Sequence, residues 1–379
     1  MKKYLSLAIL YYLRFFAKIQ LAKTKPQIIG VTGSAGKSTC VAAIVAILKA
    51  KYQVKTTGTT NSESGIPLSI LSLKMTDYSF FDWLRVIILA PIRYLLQSDH
   101  YDILVAEMGI DGLQTPKNMT YLLSIIQPKI GVFLNALPVH TLQMKTVDNI
   151  AREKGKLIAS LPPDGIAIVN KNDPRTHIDT RAQVVYFSGD SVSAAKVVGK
   201  TLDISQSLIA KQLRRDFLRP PGRWTFFPGK NNSTLIDSSY NASPSTVADA
   251  LQQLRSKTAD RYIAVLGDMR ELGALAKSEH TKIAQIAYRL ADKIITVGPQ
   301  TKQYFPSNKK LVKQFDNSFQ SGKFLQTFLL PGDLVLFKGS QNTIFLETAV
   351  EMCLANKNDA HQLCRRGKYW NKQRKIYNL

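Results

Sequence analysis

QIIGVTGSAGKSTCVAAIVAIL, residues 27–48, decides the fold of the first half of this 379-residue chain. The stretch opens with a β-branched apolar run and closes with an alanine-rich run long enough for about three helical turns. The glycine-rich loop between them holds Gly33 and Gly36, which allow the backbone to turn tightly and to aim N–H groups at phosphate oxygens. A strand, a phosphate loop and a helix are therefore predicted.

The phosphate loop is expected to bind a nucleotide. Lys37 would reach the outer phosphates, and Ser38 would hold Mg²⁺. The strict pattern G-x-x-x-x-G-K-[ST] is not met, because Val31 stands at its first glycine position. A glycine-rich turn that only caps a helix is the alternative. The residues predicted to contact the nucleotide here are Gly33, Ser34, Ala35, Gly36, Lys37, Ser38 and Thr39.

Strand-like and helix-like stretches alternate on both sides of this loop, which is typical of a doubly wound α/β protein. Further strands are predicted at 102–108, 129–135, 165–170, 234–239, 261–267, 293–298 and 333–339. Helices are predicted at 37–50, 244–256 and 278–291, and a helix-like stretch covers 194–213. The predicted fold class is therefore α/β: a phosphate-loop central domain with a mainly parallel sheet, then a Rossmann-like C-terminal domain.

The domain boundary is predicted near Arg-Pro-Pro-Gly, residues 219–222, because two prolines and a glycine favour an extended connection over a helix. The predicted organisation is an amphipathic N-terminal helix (1–25), a central domain (26–218), a C-terminal domain (219–356) and a basic tail (357–379). The tail has little periodicity, so we expect a solvated end or a docking strip rather than a folded element.

Two segments, residues 1–23 and 80–97, are amphipathic and rich in apolar residues. The first has an uninterrupted apolar run too short to span a bilayer, which needs about 20 residues. Either these helices pack on each other or on a partner, or they lie in a membrane interface with basic residues toward lipid head groups. Both alternatives stay open at this stage.

The balance of 51 Lys and Arg against 27 Asp and Glu gives a net charge of +24. Such a surface attracts nucleotides, phosphorylated sugars, nucleic acid or an anionic leaflet, but no nucleic-acid recognition module is present. Cys40, Cys353 and Cys364 lie far apart without a C-x-x-C pair, so neither a disulfide framework nor a zinc site is indicated. A cytoplasmic location is predicted, with peripheral contact to the inner membrane face as a further alternative.

The order of motifs along residues 26–355 resembles that of the Mur ligases, most of all the members that add D-alanyl-D-alanine. The motifs are TGSAGKST, NSESGIP, AEMG, LNALPVH, the KGK of residues 154–156, PPGR, IDSSYNASP, LGDMRELG and VLFKGSQN. The resemblance implies an ATP-dependent ligase that forms an amide bond on a peptidoglycan precursor peptide through an acyl-phosphate. In that family the central domain binds ATP and the C-terminal domain carries the incoming amino component.

The resemblance also assigns a metal site in the central domain. Glu107 resembles the family's Mg²⁺-binding glutamate, and His140 matches a metal-site histidine. Lys154 aligns with the lysine that family members carbamylate, which would turn a cation into a carboxylate facing a second Mg²⁺. Each assignment has an alternative. Glu107 is then an N-capping glutamate, His140 an ordinary loop histidine and Lys154 one more basic residue on a helix.

In the second half, Arg223 resembles the arginine that reaches the ATP phosphates. Asp237, Tyr240 and Asn241 resemble the family loop that meets the nucleotide, although an Asn-Ala-Ser-Pro stretch is also typical of a turn and helix cap. Substrate-binding roles are implied for four residues that follow predicted strands: Asp268, Glu271, Lys338 and Ser340.

The sequence departs from the family pattern at several places. Family members carry a separate N-terminal domain that grips the UDP-sugar, and about 25 residues precede the phosphate loop here. Ser238 replaces an aspartate and Lys156 a glutamate, so each change removes a negative charge. A related ligase on another carboxylate, such as another cell-wall peptide or a folate polyglutamate, therefore stays open, as does a non-catalytic ATP-binding paralogue.

Overall fold

The computed structural model describes residues 2–58, 60–96, 99–138 and 141–377. The chain divides into two compact units, residues 1–218 (unit 1) and residues 219–379 (unit 2). Each unit is built around a six-stranded sheet in which parallel pairing dominates. The predicted fold class is thereby confirmed.

The sheet of unit 1 has the strand order β2-β3-β1-β4-β5-β6, and every pair in it is parallel. Its strands are β1 (Gln27–Thr32), β2 (Val54–Thr56), β3 (Ile103–Glu107), β4 (Ile130–Phe133), β5 (Ile166–Asn170) and β6 (Gln183–Phe187). Because β1 lies between β3 and β4, the chain reverses its direction of winding at the carboxyl end of β1. Open α/β sheets bind ligands at such a point.

The helices of unit 1 cover both faces of this sheet, and a 3₁₀ turn spans Pro174–Thr176. They are α1 (Lys2–Thr24), α2 (Lys37–Leu48), α3 (Gly65–Ile70), α4 (Phe80–Leu96), α5 (Met119–Leu123), α6 (Thr141–Met144), α7 (Val147–Ala159), α8 (Ser191–Thr201) and α9 (Gln206–Asp216). The helix α2 is apolar almost all round, as expected of a helix that is buried by the sheet on one side and by α8 and α9 on the other.

The prediction of one continuous helix-like stretch at 194–213 is wrong, because the structure has two helices there, α8 and α9. Asp203 has a positive φ of 55°, a conformation that ends a helix. The side chain of Ser205 then accepts a hydrogen bond from the Leu208 N–H and caps α9. Short polar side chains compete in this way with the hydrogen bonds of the helical backbone. The apolar periodicity continues across the break, so it does not reveal where α8 ends.

The N-terminal helix α1 packs against α3 and α4. Leu13 of α1 and Val86 and Ala90 of α4 are fully buried in one small apolar cluster. The Tyr12 hydroxyl donates to the Ile87 carbonyl oxygen at 2.9 Å, and Lys23 Nζ donates to the Tyr94 carbonyl oxygen at 3.1 Å. The packing alternative is therefore observed for one face of each helix. Among the residues that the structure describes, no helix meets the length and hydropathy that a membrane span requires.

The sheet of unit 2 has the strand order β11-β10-β9-β12-β8-β7, with only the edge strand β7 antiparallel. Its strands are β7 (Thr225–Pro228), β8 (Thr234–Asp237), β9 (Arg261–Gly267), β10 (Lys293–Val297), β11 (Leu311–Phe315) and β12 (Asp333–Lys338). Its helices are α10 (Pro244–Arg255), α11 (Ala276–Leu290), α12 (Pro299–Tyr304), α13 (Ser318–Phe328), α14 (Glu347–Cys353) and α15 (Lys368–Ile376). Short 3₁₀ turns span Lys230–Asn232, Gly273–Leu275 and Lys357–Gln362.

The expectation of an unfolded basic tail is wrong. Residues 357–376 form a 3₁₀ turn and α15, and the side chains of Arg365 and Arg374 are buried in unit 2. The ring of Phe345 contacts Trp370 and Tyr377 of the tail. The tail lacks apolar periodicity because its arginines, rather than aliphatic side chains, anchor it to the unit.

Substitutions in the apolar core under α2 are expected to destabilise unit 1 more than substitutions at exposed positions. Ile44 is fully buried among side chains of α2, the sheet and α8, so Ile44→Ala is expected to lower the free energy of unfolding by about 2–5 kcal/mol. Val184→Ala on β6, where the side chain is 42% exposed, should change it by no more than about 0.5 kcal/mol. Urea denaturation followed by circular dichroism measures both; equal losses would contradict the assignment of this core.

Candidate active site

The phosphate loop of unit 1 is held by two glycines with positive φ. Gly33 has a φ of 151°, and a Cβ there would lie 2.9 Å from Leu134 Cβ. Gly36 has a φ of 83° and precedes the first residue of α2, and a Cβ there would clash with the Ser191 side chain. Both positions therefore require glycine, for conformation and for space. The loop leads directly into the N-terminus of α2, where the helix dipole favours an anion.

Asn135, which follows β4, braces the loop from the neighbouring strand. Its side chain accepts a hydrogen bond from the Ala35 N–H at 2.9 Å and donates one to the Ala35 carbonyl oxygen at 3.2 Å. Its carbonyl oxygen accepts from the Ser34 N–H at 3.0 Å. The Ser34 hydroxyl in turn accepts from the Leu137 N–H. This network fixes the loop before any ligand binds, so a phosphate group meets a preorganised backbone.

The first turn of α2 places the three polar residues that were predicted to contact the nucleotide. Lys37 Nζ donates to the Gly33 carbonyl oxygen at 3.0 Å, so the side chain folds back along the loop. Ser38 and Thr39 are buried at the start of the helix. The loop and Lys37, Ser38 and Thr39 thus occupy the carboxyl edge of the sheet, as the sequence predicts for this motif.

Glu107 ends β3, directly beside β1, and its side chain is buried. The Asn61 side chain donates to Glu107 Oε1 at 2.8 Å, and the Glu107 N–H donates to the Thr57 hydroxyl at 3.1 Å. Its other carboxylate oxygen, Oε2, is buried without a hydrogen-bond partner among the described residues. A buried carboxylate oxygen left without a partner is costly, and an oxygen of this kind is chemically suited to a cation.

Lys154 lies on α7 and is buried to 2% exposure. Burial, assisted by the positive charge of Lys37, lowers the pKa of its ammonium group to about 7. The charges of Asp111, Glu107 and Glu153 act in the opposite direction. The side chain is therefore close enough to Lys37 and Glu107 to feel both charges, and a substantial fraction of it is neutral at pH 7.

Lys156, which stands where family members carry a glutamate, is paired with neighbouring side chains of α7 and α5. Its ammonium group forms an ion pair with Glu153 at 2.6 Å and donates to the Thr120 hydroxyl at 3.2 Å. Glu153 also accepts a hydrogen bond from the Met119 N–H. The added positive charge is therefore balanced locally, between α7 and α5, instead of acting on the phosphate loop.

His140, the remaining residue of the predicted metal site, lies outside the described residues. Within the described ranges no group of three or more His, Cys, Asp or Glu side chains is assembled for a metal ion. Of the residues assigned to the metal site, the structure describes Ser38, Glu107 and Lys154.

In unit 2, Asp237, Asp268 and Lys338 lie at the carboxyl ends of three adjacent parallel strands. Asp237 ends β8, Lys338 ends β12, and Asp268 follows β9. Asp237 is fully buried, and burial raises the pKa of its carboxyl group. One of its oxygens accepts from the Ser239 N–H at 3.0 Å, and the other has no partner among the described residues.

Lys338 is buried, and its ammonium group donates to the Asn241 carbonyl oxygen at 2.9 Å and to the Ser238 hydroxyl at 3.4 Å. Burial lowers its pKa to about 7, with the charge of Arg223 acting in the same direction. The Arg223 guanidinium and the Lys338 amino group are therefore close enough for their charges to interact. Such a pair favours an anionic group such as a carboxylate or phosphate.

Arg223 lies with its guanidinium carbon 4.2 Å from the centre of the Tyr240 ring. The Tyr240 N–H donates to the Gly222 carbonyl oxygen at 3.1 Å, which ties the two loop segments together. Asn241 is half-buried, and its side-chain oxygen accepts from the Ala242 N–H. The structure thus brings Arg223, Tyr240, Asn241 and Lys338, which belong to separate motifs, close together.

Asp268 and Ser340 make structural hydrogen bonds. The Asp268 carboxylate accepts from the Thr301 N–H at 2.7 Å and the Gln300 N–H at 3.1 Å, at the start of α12. The Ser340 hydroxyl donates to the Ala242 carbonyl oxygen and accepts from the Arg270 N–H. Glu271 has a positive φ of 63° and is half-buried. Asp268 and Ser340 were both predicted to contact substrate. Their hydrogen bonds hold the loops after β9 and β12 in place.

A buried ion pair that the sequence did not predict supports the loop that follows β8. Arg365 of the tail contacts both carboxylate oxygens of Glu347, at 2.9 and 2.6 Å. The same guanidinium donates to the carbonyl oxygens of Ser239 and Tyr240, at 2.8 and 2.9 Å. Arg374 of α15 donates to the Arg365 carbonyl oxygen at 2.6 Å. The tail therefore holds the backbone of the Asp237–Asn241 loop.

Asn61, Glu347 and Arg365 are site residues that sequence reasoning did not single out. Asn61 lies in the NSESGIP motif, so its position was available from the sequence, although its contact with Glu107 was not. The spacing of Glu347 and Arg365 in the sequence does not indicate a pair. They meet because the chain turns back between α14 and α15.

Two family models match the chain. A model described as "Mur ligase middle domain" matches residues 86–213, and one described as "Mur ligase, glutamate ligase domain" matches residues 222–341. The two matched segments are consecutive and lie one in each structural unit.

Curated relatives match most of the chain. A Synechocystis protein named UDP-N-acetylmuramoyl-tripeptide--D-alanyl-D-alanine ligase is 25% identical over 86% of this chain and 74% of its own length. A Bacillus subtilis protein of the same name is 26% identical over 87% of this chain and 76% of its own length.

Solved structures support the fold. The MurF ligase from Thermotoga maritima, solved in complex with ADP, has a TM-score of 0.75 at 22% identity, covering 97% of this chain and 84% of its own. E. coli FolC, also solved with ADP, has a TM-score of 0.63 at 18% identity, covering 90% and 92%.

Two glutamates of α14, one turn apart, provide a matched test of the tail. Glu347→Ala leaves the buried Arg365 without its carboxylate and is expected to lower the free energy of unfolding by about 3–5 kcal/mol. Glu351→Ala removes a partly exposed pair with Arg366 and should cost about 1 kcal/mol or less. Denaturant unfolding measures the cost, and hydrogen exchange should show faster exchange at residues 237–241 only in Glu347→Ala. Equal protection of this loop in both variants would contradict the role of the tail.

Proposed function

The chain belongs to the Mur ligase family, and from this premise we propose that it is an ATP-dependent ligase that adds D-alanyl-D-alanine to the peptide of a peptidoglycan precursor. The observation that carries the proposal is the preorganised phosphate loop between β1 and α2, with the unpaired Glu107 Oε2 at the end of the adjacent strand. The loop offers N–H groups to phosphates, and the carboxylate offers a ligand to a cation.

The chemistry proceeds in two steps. A carboxylate oxygen of the acceptor peptide attacks the γ-phosphorus of ATP, and ADP leaves, which gives an acyl-phosphate. The amino group of D-alanyl-D-alanine then attacks the acyl carbon, inorganic phosphate leaves, and the nitrogen loses a proton to give the amide. The protein contributes positioning and charge stabilisation, the main forms of catalysis available to phosphoryl transfer.

In unit 1, the loop N–H groups and Lys37 hold the β- and γ-phosphates. The residues fit a Mg²⁺ ion, because Ser38 and the unpaired Glu107 Oε2 are oxygen ligands of the kind this ion prefers. When bound, the ion neutralises charge on the phosphate oxygens. His140 is assigned to the same metal site on the resemblance alone.

We assign Lys154 as a carbamylated lysine. Its buried amine, with a pKa near 7, is partly neutral at physiological pH, and the neutral nitrogen attacks CO₂. A nitrogen–carbon bond forms, one proton leaves, and a carbamate replaces the cation. The new negative charge lies where Lys37 already provides a positive one, and it can act as a further metal ligand.

In unit 2, Arg223 is assigned to the phosphate groups, and Asp237, Tyr240 and Asn241 to the nucleotide. Lys338 is assigned to a substrate carboxylate or phosphate, because it is a buried cation with a second cation, Arg223, nearby. Asp268, Glu271 and Ser340 complete the assigned substrate loops. Of these, Asp268 and Ser340 act by fixing loop geometry.

Phosphate release tests the ligase. We expect the wild-type chain to release phosphate from ATP and Mg²⁺ only when UDP-muramyl-tripeptide and D-alanyl-D-alanine are both present. Lys37→Ala should lower the rate by at least about 10²-fold, because it removes a charge that stabilises the transferring phosphoryl group. Lys49→Ala, an exposed lysine just after α2, is the matched control and should keep the wild-type rate.

Three other outcomes of this assay would contradict the proposal. Release with a folate and glutamate, and not with the peptide substrates, would favour the folylpolyglutamate alternative. ATP binding without release under any substrate pair would favour a non-catalytic paralogue. A Lys37→Ala rate equal to that of Lys49→Ala would remove the phosphate loop from the reaction.

Labelled bicarbonate tests Lys154. In ¹³C NMR of the full chain with ¹³C-bicarbonate, a carbamate signal should appear in the wild type and disappear in Lys154→Arg. At fixed dissolved CO₂ the signal should grow as pH rises through about 7, because deprotonation yields the reactive amine. Lys338→Arg removes the other buried lysine with a pKa near 7 and should keep the signal. A signal lost only in Lys338→Arg would overturn the assignment.

A further inference from the structure

The helix α4 carries a row of large apolar side chains on its outer face. All but the last of them are three or four residues apart, which places them on one side of the helix. They span Phe81 to Leu96, about 22 Å along the axis. We call this row the α4 stripe; its members, each between 41% and 77% exposed, are Phe81, Leu84, Ile88, Ile92, Leu95 and Leu96.

The stripe is not the core-facing side of the helix. That side is formed by Asp82, Val86 and Ala90, which are buried. The helix therefore has apolar residues on two opposite sides, Val86 and Ala90 on one and the stripe on the other, and only the first side is covered by the described residues. Monomeric proteins rarely expose contiguous apolar patches of this kind unless the patch has a binding function.

The neighbouring helix α1 extends the same surface. Its residues Leu13 and Ala17 are buried, whereas Phe15 is 57% exposed on the opposite side. The Tyr12–Ile87 and Lys23–Tyr94 hydrogen bonds hold the two helices side by side. The outer faces of both helices, opposite their buried sides, therefore adjoin each other.

The charges on these two helices identify the partner. The sequence of α1 contains no acidic residue, and its basic residues are Lys2, Lys3, Arg14, Lys18 and Lys23. The helix α4 adds Arg85 and Arg93, and its single acidic residue, Asp82, is buried and paired with Arg85. A second copy of the chain would bring like charges together, whereas an anionic bilayer offers both an apolar layer and complementary head groups.

We propose that α1 and the α4 stripe form a membrane-docking face, which lies in the surface of a bilayer that contains anionic lipids. The stripe enters the boundary between head groups and acyl chains, and the exposed basic residues Lys18 of α1 and Arg93 of α4 contact the lipid phosphates. No described helix meets the requirements for a span, so docking is peripheral. The proposal goes beyond the ligase reaction and does not depend on it.

Vesicle flotation of the full chain, without nucleotide or substrates, tests this face. We expect co-flotation with vesicles of phosphatidylcholine and phosphatidylglycerol, weaker binding to phosphatidylcholine alone, and weaker binding at high salt. The double variant Phe81→Ser/Ile88→Ser removes two large apolar groups from the stripe and should lower the partition coefficient at least about tenfold. Both side chains are more than half exposed, so the fold should remain intact, which thermal unfolding checks.

A matched control uses exposed apolar residues of unit 2. Phe319→Ser/Leu330→Ser removes one aromatic and one aliphatic side chain that are 39% and 52% exposed, and it should leave vesicle binding unchanged. Equal losses in the two double variants would overturn the proposal. So would binding that salt abolishes but the stripe variant leaves untouched, since a merely basic surface would then suffice. Self-association without lipid that disappears in the stripe variant would assign the face to a second copy instead.

Discussion

Parallel pairing of β1 with β3 on one side and with β4 on the other is the constraint on which unit 1 depends. The register pairs Val31 with Glu107 and Thr32 with Phe133, so the phosphate loop, the buried glutamate and Asn135 emerge at one edge of the sheet. Parallel strands end on the same side of a sheet. The strand pairing by itself therefore brings these three segments together, although they are distant in the sequence. The hydrogen bonds of Asn135 to Ala35 and Ser34 then fix the loop.

Unit 2 uses the same arrangement of strand ends but secures its loops differently. The loop after β8 is held from the tail, through the pairing of Arg365 with Glu347 and its donation to two backbone carbonyl oxygens. A buried ion pair contributes little net stability compared with apolar packing, but removal of one partner is strongly destabilising. The tail is therefore best understood as a geometrical support for the segment that bears Asp237, Tyr240 and Asn241.

The two buried lysines show how burial adjusts chemistry in each unit. Lys154 and Lys338 both have pKa values lowered to about 7, and in each case a neighbouring cation, Lys37 or Arg223, acts together with burial. Lys338 has two protein acceptors, Ser238 and Asn241, that favour its charged form. The same lowered pKa is thus compatible with the two proposed roles, a reactive amine for Lys154 in unit 1 and an anion-binding group for Lys338 in unit 2.

The sequence by itself determined the two α/β domains, the phosphate loop and most strands, because glycine spacing and runs of β-branched residues are local signals. It did not predict the edge strand β6, a five-residue strand whose side chains are mostly exposed, or the break before α9, which depends on the backbone conformation of Asp203. Three features follow from the tertiary structure alone: the basic tail folds, one buried oxygen of Glu107 has no hydrogen-bond partner among the described residues, and α4 presents its stripe outward. These features depend on which distant residues become neighbours, and a linear pattern carries no information about a partner 18 or 46 residues away.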